Sequence, residues 1–257
     1  MLKGIDVSDW QGPINWGAVA SSGRRFAFTK ATEGVYYVAP SFDFNWKGIK
    51  DAGLVRGAYH FARPGVSSAS EEAQHFLATI GQPSEGDLLA LDLEDGDGNL
   101  LLWALEWLST IKATTGITPI LYSSADFMRS HGLTKEALAL VKFPLWIWHS
   151  LDEVPPLAPY PWKSAEFWQW TWEGSCPGVW GTVDEDFFLG DEVELQELGH
   201  KSTLEEYMPT LVDTMNLIWQ AASEGQAHPE ATDAMKAILE RIKQEGIVVQ
   251  KKLIGLQ

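Results

Sequence analysis

The segment LLALDLEDGDGN, residues 88–99, carries the residue types and spacing best suited to chemistry. Read as a strand, Leu89, Leu91 and Leu93 share one face while Ala90, Asp92 and Glu94 share the other. Strand rise sets the two carboxylates roughly 6–7 Å apart. Acids that share a pocket raise each other's pKa, and the less solvated one keeps its proton near neutrality. Glycoside hydrolysis needs such a pair: a proton for the leaving oxygen and a negative group to stabilise an oxocarbenium-like transition state. Taken alone, the segment is equally well explained as an acidic strand end solvated in a loop. Two further acids follow the same logic. In GIDVSDWQG, Asp6 alternates with Ile5 and Val7, and in GTVDEDFF, Asp184 alternates with Val183. Each singly could be a turn or cap residue; together, three inward acidic strand ends make that account the weaker one.

Positioning them requires a scaffold, and the chain supplies one. Short apolar segments at 4–7, 26–31, 55–61, 88–93, 119–122, 145–148, 166–170 and 182–188 predict eight strands. Helical patterns at 16–21, 42–52, 69–80 and 100–115 fall between the early ones. This order predicts an α/β protein, a barrel of the β/α, TIM type rather than an open sheet. Its outer strand faces pack on helices and its inner faces lead to the mouth. First and last strands adjoin in a closed barrel, so Asp6 and Asp184 are expected side by side, across the mouth from Glu94. The second half, rich in Pro, Trp and Gly, is expected to be irregular.

Residues 1–200 form the expected barrel, and 201–257 a short C-terminal helical extension. In the extension, Leu204, Met208, Leu211, Met215 and Ile218 recur at helical spacing, and a second helix fits 229–244. Helices this short must bury their stripes against the barrel, each other or another chain. The tail therefore admits a docked extension, self-association into a homo-oligomer, or a targeting module.

Bulk composition narrows the classes. With 257 residues, 45% hydrophobic, and with 13 Trp, 11 Phe and 6 Tyr, the chain can bury a sizeable core. A formal charge of −16 argues against a nucleic-acid partner, which calls for a basic stripe. The acidity sits mainly in the first 200 residues, since 201–257 hold 6 Lys and Arg against 8 Asp and Glu. One cysteine, Cys176, excludes an intrachain disulfide framework. The N-terminus lacks a run suited to a signal peptide and no stretch suits membrane insertion, so the expectation is a soluble product made in a cytoplasm.

No metal or cofactor is expected. His60, His75, His131, His149, His200 and His228 are scattered without zinc-ligand spacing. Asp95, Asp97, Asn99 and Glu106 mimic a calcium loop, but Leu100 stands where the turn demands Gly, so a polar loop is expected. His60 adjoins an inward position and could touch substrate; a hydrogen-bonded structural role is at least as good an account. Trp103 and Trp107, at i and i+4, are expected in the core.

The segments GIDVSDWQG, FTKATEG, VRGAYHFA, LDLE, LYSS, PLWIWHS, FWQW and VDEDFF, in this order and spacing over about residues 1–190, resemble glycoside hydrolase family 25, the Chalaropsis-type lysozymes. The resemblance implies a flattened, irregular barrel that hydrolyses the β-1,4 bond between N-acetylmuramic acid and N-acetylglucosamine in bacterial peptidoglycan. It implies retention with help from the substrate's own N-acetyl group, with Asp92 or Asp184 as the assisting acid. By motif, Glu94 matches the general acid, Asp92 its partner, and Asp6 and Asp184 complete the acidic floor. Tyr59, Tyr122, Trp146 and Gln169 match the groove lining. A phage endolysin fits the missing export signal. Two departures stand out: Trp148 and Ser150 replace the family's usual Ala and aromatic, and Asp186 replaces Asn in V-D-x-N. Two alternatives remain open. One is a related glycosidase acting on chitin-like glycans, whose signature requires an acid where Ala90 stands; the other is a non-catalytic glycan-binding barrel.

Overall fold

A computed structural model describes residues 1–134, 137–149 and 155–202. The helices expected within 201–257 and the departure at Ser150 lie outside the described residues. Among the described residues nine strands form one sheet: β1 (Leu2–Val7), β2 (Phe26–Glu33), β3 (Tyr37–Val38), β4 (Val55–Phe61), β5 (Leu88–Asp92), β6 (Ile120–Ser124), β7 (Leu145–Trp148), β8 (Phe167–Gly174) and β9 (Val183–Phe188). Pairing runs β1-β9-β8-β7-β6-β5-β4-β2-β3, and β1 also pairs with β2, which closes eight strands into a barrel and leaves β3 as a hairpin on β2. Helices α1 (Trp16–Ser21), α2 (Phe42–Asp51), α3 (Ala69–Ile80) and α4 (Leu100–Thr115) occupy the early crossovers. After β6, among the described residues, only α5 (Ala125–Ser130) and a 3-10 turn (Ala137–Lys142) intervene, and α6 (Glu192–Leu198) follows β9. The expected irregular second half is therefore observed, while β3, α5 and α6 went unread in the sequence. No helix of the described residues is long and apolar enough to cross a membrane.

Capping explains why α1, α3 and α4 start where they do. Asn15 and Asn99 accept from Ala18 N and Leu102 N, and Ser68 with Glu71 forms a capping box. Gly116, at φ 78°, ends α4 in the left-handed conformation. The loop of Asp95, Asp97 and Asn99 is polar as expected, with Asn99 capping α4 and Asp95 paired to Arg63.

Seven barrel strands run parallel, but β9 is antiparallel to both neighbours. This direction was not expected, and it matters. Asp184 is the second residue of β9. In an all-parallel barrel it would sit at the opposite end from Asp6; the reversal pairs it directly with Asp6.

Alternation sorts the core into layers. Leu89, Leu91 and Leu93 pack outward with Phe76, Leu105, Trp107 and Leu108, while Leu88 and Ala90 join Phe26, Phe28, Ile120, Trp146 and Phe167 inside. Trp107 is fully buried and Trp103 half-buried, as their spacing indicated. His60 faces outward, hydrogen-bonded to Thr32 Oγ1 (2.7 Å) and Glu72 Oε2 (2.7 Å) and stacked on Trp107, so its role is structural. Two inward glycines make room for two rings. Gly4 pairs with Phe26 and Gly57 with Phe28, and a Cβ on either would lie 2.3 or 2.1 Å from that ring. Gly57→Ala is expected to cost about 1–3 kcal/mol by overpacking. A lowered urea midpoint at unchanged m-value would show it.

Candidate active site

The C-terminal ends of the parallel strands form the mouth, and the acids meet there. Asp92 is the last residue of β5 and is buried, its inward direction set by the same alternation that turns Leu91 outward. Glu94 stands two residues farther on, past the strand, and is exposed at the mouth. Asp6 comes from β1 and is buried beside half-buried Asp184. Asp186, one inward position below Asp184 on β9, is 1% exposed.

A hydrogen-bonded floor fixes these groups. Gln169 Nε2 on β8 donates to Asp6 Oδ2 (2.8 Å), and Gln169 Oε1 accepts from the Tyr122 hydroxyl (2.6 Å). Trp146 Nε1 donates to Asp186 Oδ1 (3.0 Å). Asp6 also lies within hydrogen-bonding reach of Asp184 and Asp186. Two carboxyls can share a hydrogen bond only when one is protonated, so this crowded group of acids shares at least one proton. Asp92 Oδ1 is buried with no hydrogen-bond partner among the described residues.

Electrostatics follow from burial and crowding. Burial, then the charges of Asp184 and Asp186, push Asp6 well above the usual carboxylate range. Burial and then Glu94 do the same to Asp92, with Lys30 opposing. Glu94 is raised by desolvation first and then by Asp184 and Asp95, against Lys30 and Arg63. Its surface is open to solvent, yet enough protein surrounds the carboxyl to weaken its hydration. Asp184 is pushed up to about 6 by desolvation, partly offset by the hydrogen bond from Asp6. Burial also lifts the hydroxyls of Tyr59 and Tyr122 well above the ordinary tyrosine value, and both feel the charges of Asp6, Asp92, Glu94 and Asp184. The acids converge: Asp6 faces Asp184 across β1 and β9, Tyr122 is the register partner of Asp92, and Gln169 links Tyr122 to Asp6, with Glu94 two residues beyond Asp92.

Of the expected lining residues, Tyr59 is half-buried, whereas Tyr122, Trp146 and Gln169 are buried in the floor. Trp146 and Gln169 hold acids in place there. Sequence reading left Lys30, Glu33 and Arg63 out of the site. Lys30 shares the inward parity of Phe26 and Phe28 on β2 and reaches Glu33 (2.6 Å), which also pairs with Arg63 (2.6 Å). These two ordered cations oppose the upward shift of Asp92 and Glu94. The parity of Lys30 was readable; the arrival of Arg63 from beyond β4 was not. Cavities of about 590 and 610 Å³ lie at the other end of the barrel and contain none of these acids.

Comparison with known proteins agrees with this arrangement. Residues 5–179 match the model of "Glycosyl hydrolases family 25", a span that includes Asp6, Asp92 and Glu94 and stops before Asp184. The chain is 33% identical over 214 residues to Lysozyme M1 of Streptomyces globisporus, covering 78% of this chain and 72% of that protein. It is 31% identical over 205 residues to the N,O-diacetylmuramidase of Chalaropsis, covering 71% and 96%. Among solved structures, a Streptomyces coelicolor lysozyme superposes with a TM-score of 0.73 at 33% identity, covering 79% of this chain and 98% of that one. The closed barrel, the converging acids and the family match over most of the chain lead to one statement: the chain belongs to glycosyl hydrolase family 25 and is a glycoside hydrolase.

Proposed function

We propose that the protein is a lysozyme, an N-acetylmuramidase that cuts the β-1,4 bond between N-acetylmuramic acid and N-acetylglucosamine in bacterial peptidoglycan. The observation that carries this reading is the convergence of Asp6, Asp92, Glu94 and Asp184 around Tyr59 and Tyr122 at the barrel mouth. The relatives named lysozyme and N,O-diacetylmuramidase support the substrate class. Glu94 is both accessible and raised in pKa, so it keeps a proton to give and can reach a substrate oxygen. Its proton passes to the glycosidic oxygen as the bond from that oxygen to the anomeric carbon breaks. The substrate's acetamido oxygen closes on the anomeric carbon from the opposite face, with Asp92 or Asp184 orienting the amide and stabilising its positive charge. Water, deprotonated by the Glu94 carboxylate, then opens that ring, and the anomeric configuration is retained. Asp6 and Gln169 act on Asp184 rather than on the sugar.

In this reading residues 1–200 are the catalytic barrel and 201–257 an appended helical region that packs, associates or targets. The site of action is the cell wall, and the match to a Lactococcus phage lysozyme supports an endolysin role. Digestion of purified peptidoglycan tests the proposal. N-Acetylmuramic acid is expected at the new reducing end, released as the retained anomer. N-Acetylglucosamine there would overturn the muramidase assignment, and an inverted product or a sugar trapped on an aspartate would overturn the neighbouring-group route.

A further inference from the structure

Trp10, Trp172 and Trp180 are the strongly exposed tryptophans among the described residues, and all three border the acid-bearing end of the barrel. Trp10 follows β1 and Trp180 precedes β9, where Gln11 Nε2 reaches the Thr182 carbonyl (3.5 Å). Trp172 differs from the other two because it is built into the wall. Its ring lies 5.1 Å from that of Trp148 at an interplanar angle of 16°. Trp148 ends β7, packs against the inner barrel cluster and is the register partner of Gln169, the amide that donates to Asp6. The stacked pair is therefore continuous with the floor that carries the acids. Trp172 keeps 55% of its surface exposed although Trp148 covers one ring face, so the other face is open. A large flat apolar face held rigid beside a reaction site fits a flat partner with apolar hydrogens and polar edges. A pyranose has that shape, presenting axial C–H bonds on its faces and hydroxyls around its rim.

We propose that Trp172, backed by Trp148, is a stacking subsite for one N-acetylhexosamine ring of the glycan strand, on the β7–β8 side of the acid floor. This rests on the glycan substrate proposed above and adds a place for a sugar next to the cleaved bond. The backing ring supplies rigidity, so little side-chain entropy is lost on binding. The probe is a series of N-acetylglucosamine oligosaccharides of increasing length, titrated by calorimetry into Glu94→Gln protein so that no turnover intervenes. Trp172→Ala in that background is expected to weaken binding about tenfold. Trp172→Phe is expected to restore part of the loss, and Trp148→Ala to fall between. Phe44→Ala, which removes an exposed ring on α2, serves as the control and is expected to change nothing. In the active enzyme, Trp172→Ala is expected to raise KM for soluble peptidoglycan fragments more than it lowers kcat. Equal affinity and equal KM in a stably folded Trp172→Ala protein would overturn the subsite while leaving the muramidase reading intact. Failure of the wild type to cut peptidoglycan, with Trp172-dependent oligosaccharide binding preserved, would sink the muramidase reading alone.

Discussion

Glu94→Gln is expected to lower the rate of peptidoglycan hydrolysis by about 10²–10⁴-fold, the range a positioned general acid contributes. Glutamine keeps the size and much of the hydrogen bonding of the side chain but has no transferable proton. Glu94 lies past the end of β5 and carries none of the core, so circular dichroism and thermal midpoint should match or exceed the wild type. The Glu94 charge is the second cause, after burial, that lifts Asp92. Removing it lets Asp92 ionise more readily, and so the acidic limb of any residual activity should move to lower pH. The role can be separated from binding by leaving-group chemistry. A substrate whose leaving group departs without protonation, such as an aryl glycoside, needs the acid less. The defect of Glu94→Gln should therefore shrink on that substrate, mainly in kcat. Residual peptidoglycan hydrolysis within a few-fold of wild type would end the assignment of Glu94 as the acid.

Asp184→Asn is expected to impair catalysis by about 10²-fold or more and at the same time to stabilise the fold at neutral pH. Burial raises Asp184 from 3.8 to about 6, so the folded protein holds this proton more tightly than the unfolded chain. The protonated group's contribution is complete below 3.8 and is lost as pH rises through about 6. At pH 7 the ionised carboxylate therefore costs stability, about 3 kcal/mol as an upper figure. Solvent reaching this half-buried group reduces the cost to about 1–2 kcal/mol. Asparagine carries no charge, and its carbonyl can still accept the Asp6 hydrogen bond. The thermal midpoint of the variant should exceed that of wild type by roughly 2–8 °C at pH 7. The gap should close as pH falls below 4. An identical pH dependence for both proteins would refute the account of a strained acidic floor. Such a gain also follows the general pattern in which active sites hold destabilising charge for function.

Much of this site was legible in the chain because side-chain alternation is a local property. Two residues per strand repeat fix which way Asp6, Asp92 and Asp184 point once their apolar neighbours are known to face helices. Helix starts were legible for a similar reason: Asn15, Ser68 and Asn99 meet the needs of their own next turn. The short element α6 was not read, although Asp191 and Glu194 form a capping box at its start, because seven residues give too little periodicity.

The inward acids, the four main helices and the barrel class could be read along the chain, since each depends on contacts within one element or on the order of elements. That β9 runs backwards and so delivers Asp184 to Asp6 emerges only once the barrel closes. The folded chain alone shows Trp146, Gln169 and Tyr122 beneath the acids as their supports, and Lys30 and Arg63 beside Asp92 and Glu94. The physical reason is the range of the forces involved. Alternation and capping are settled within a few residues, whereas strand direction at barrel closure and the pairing of buried charges depend on atoms brought together from distant parts of the chain. Gln169 and Asp6 are 163 residues apart.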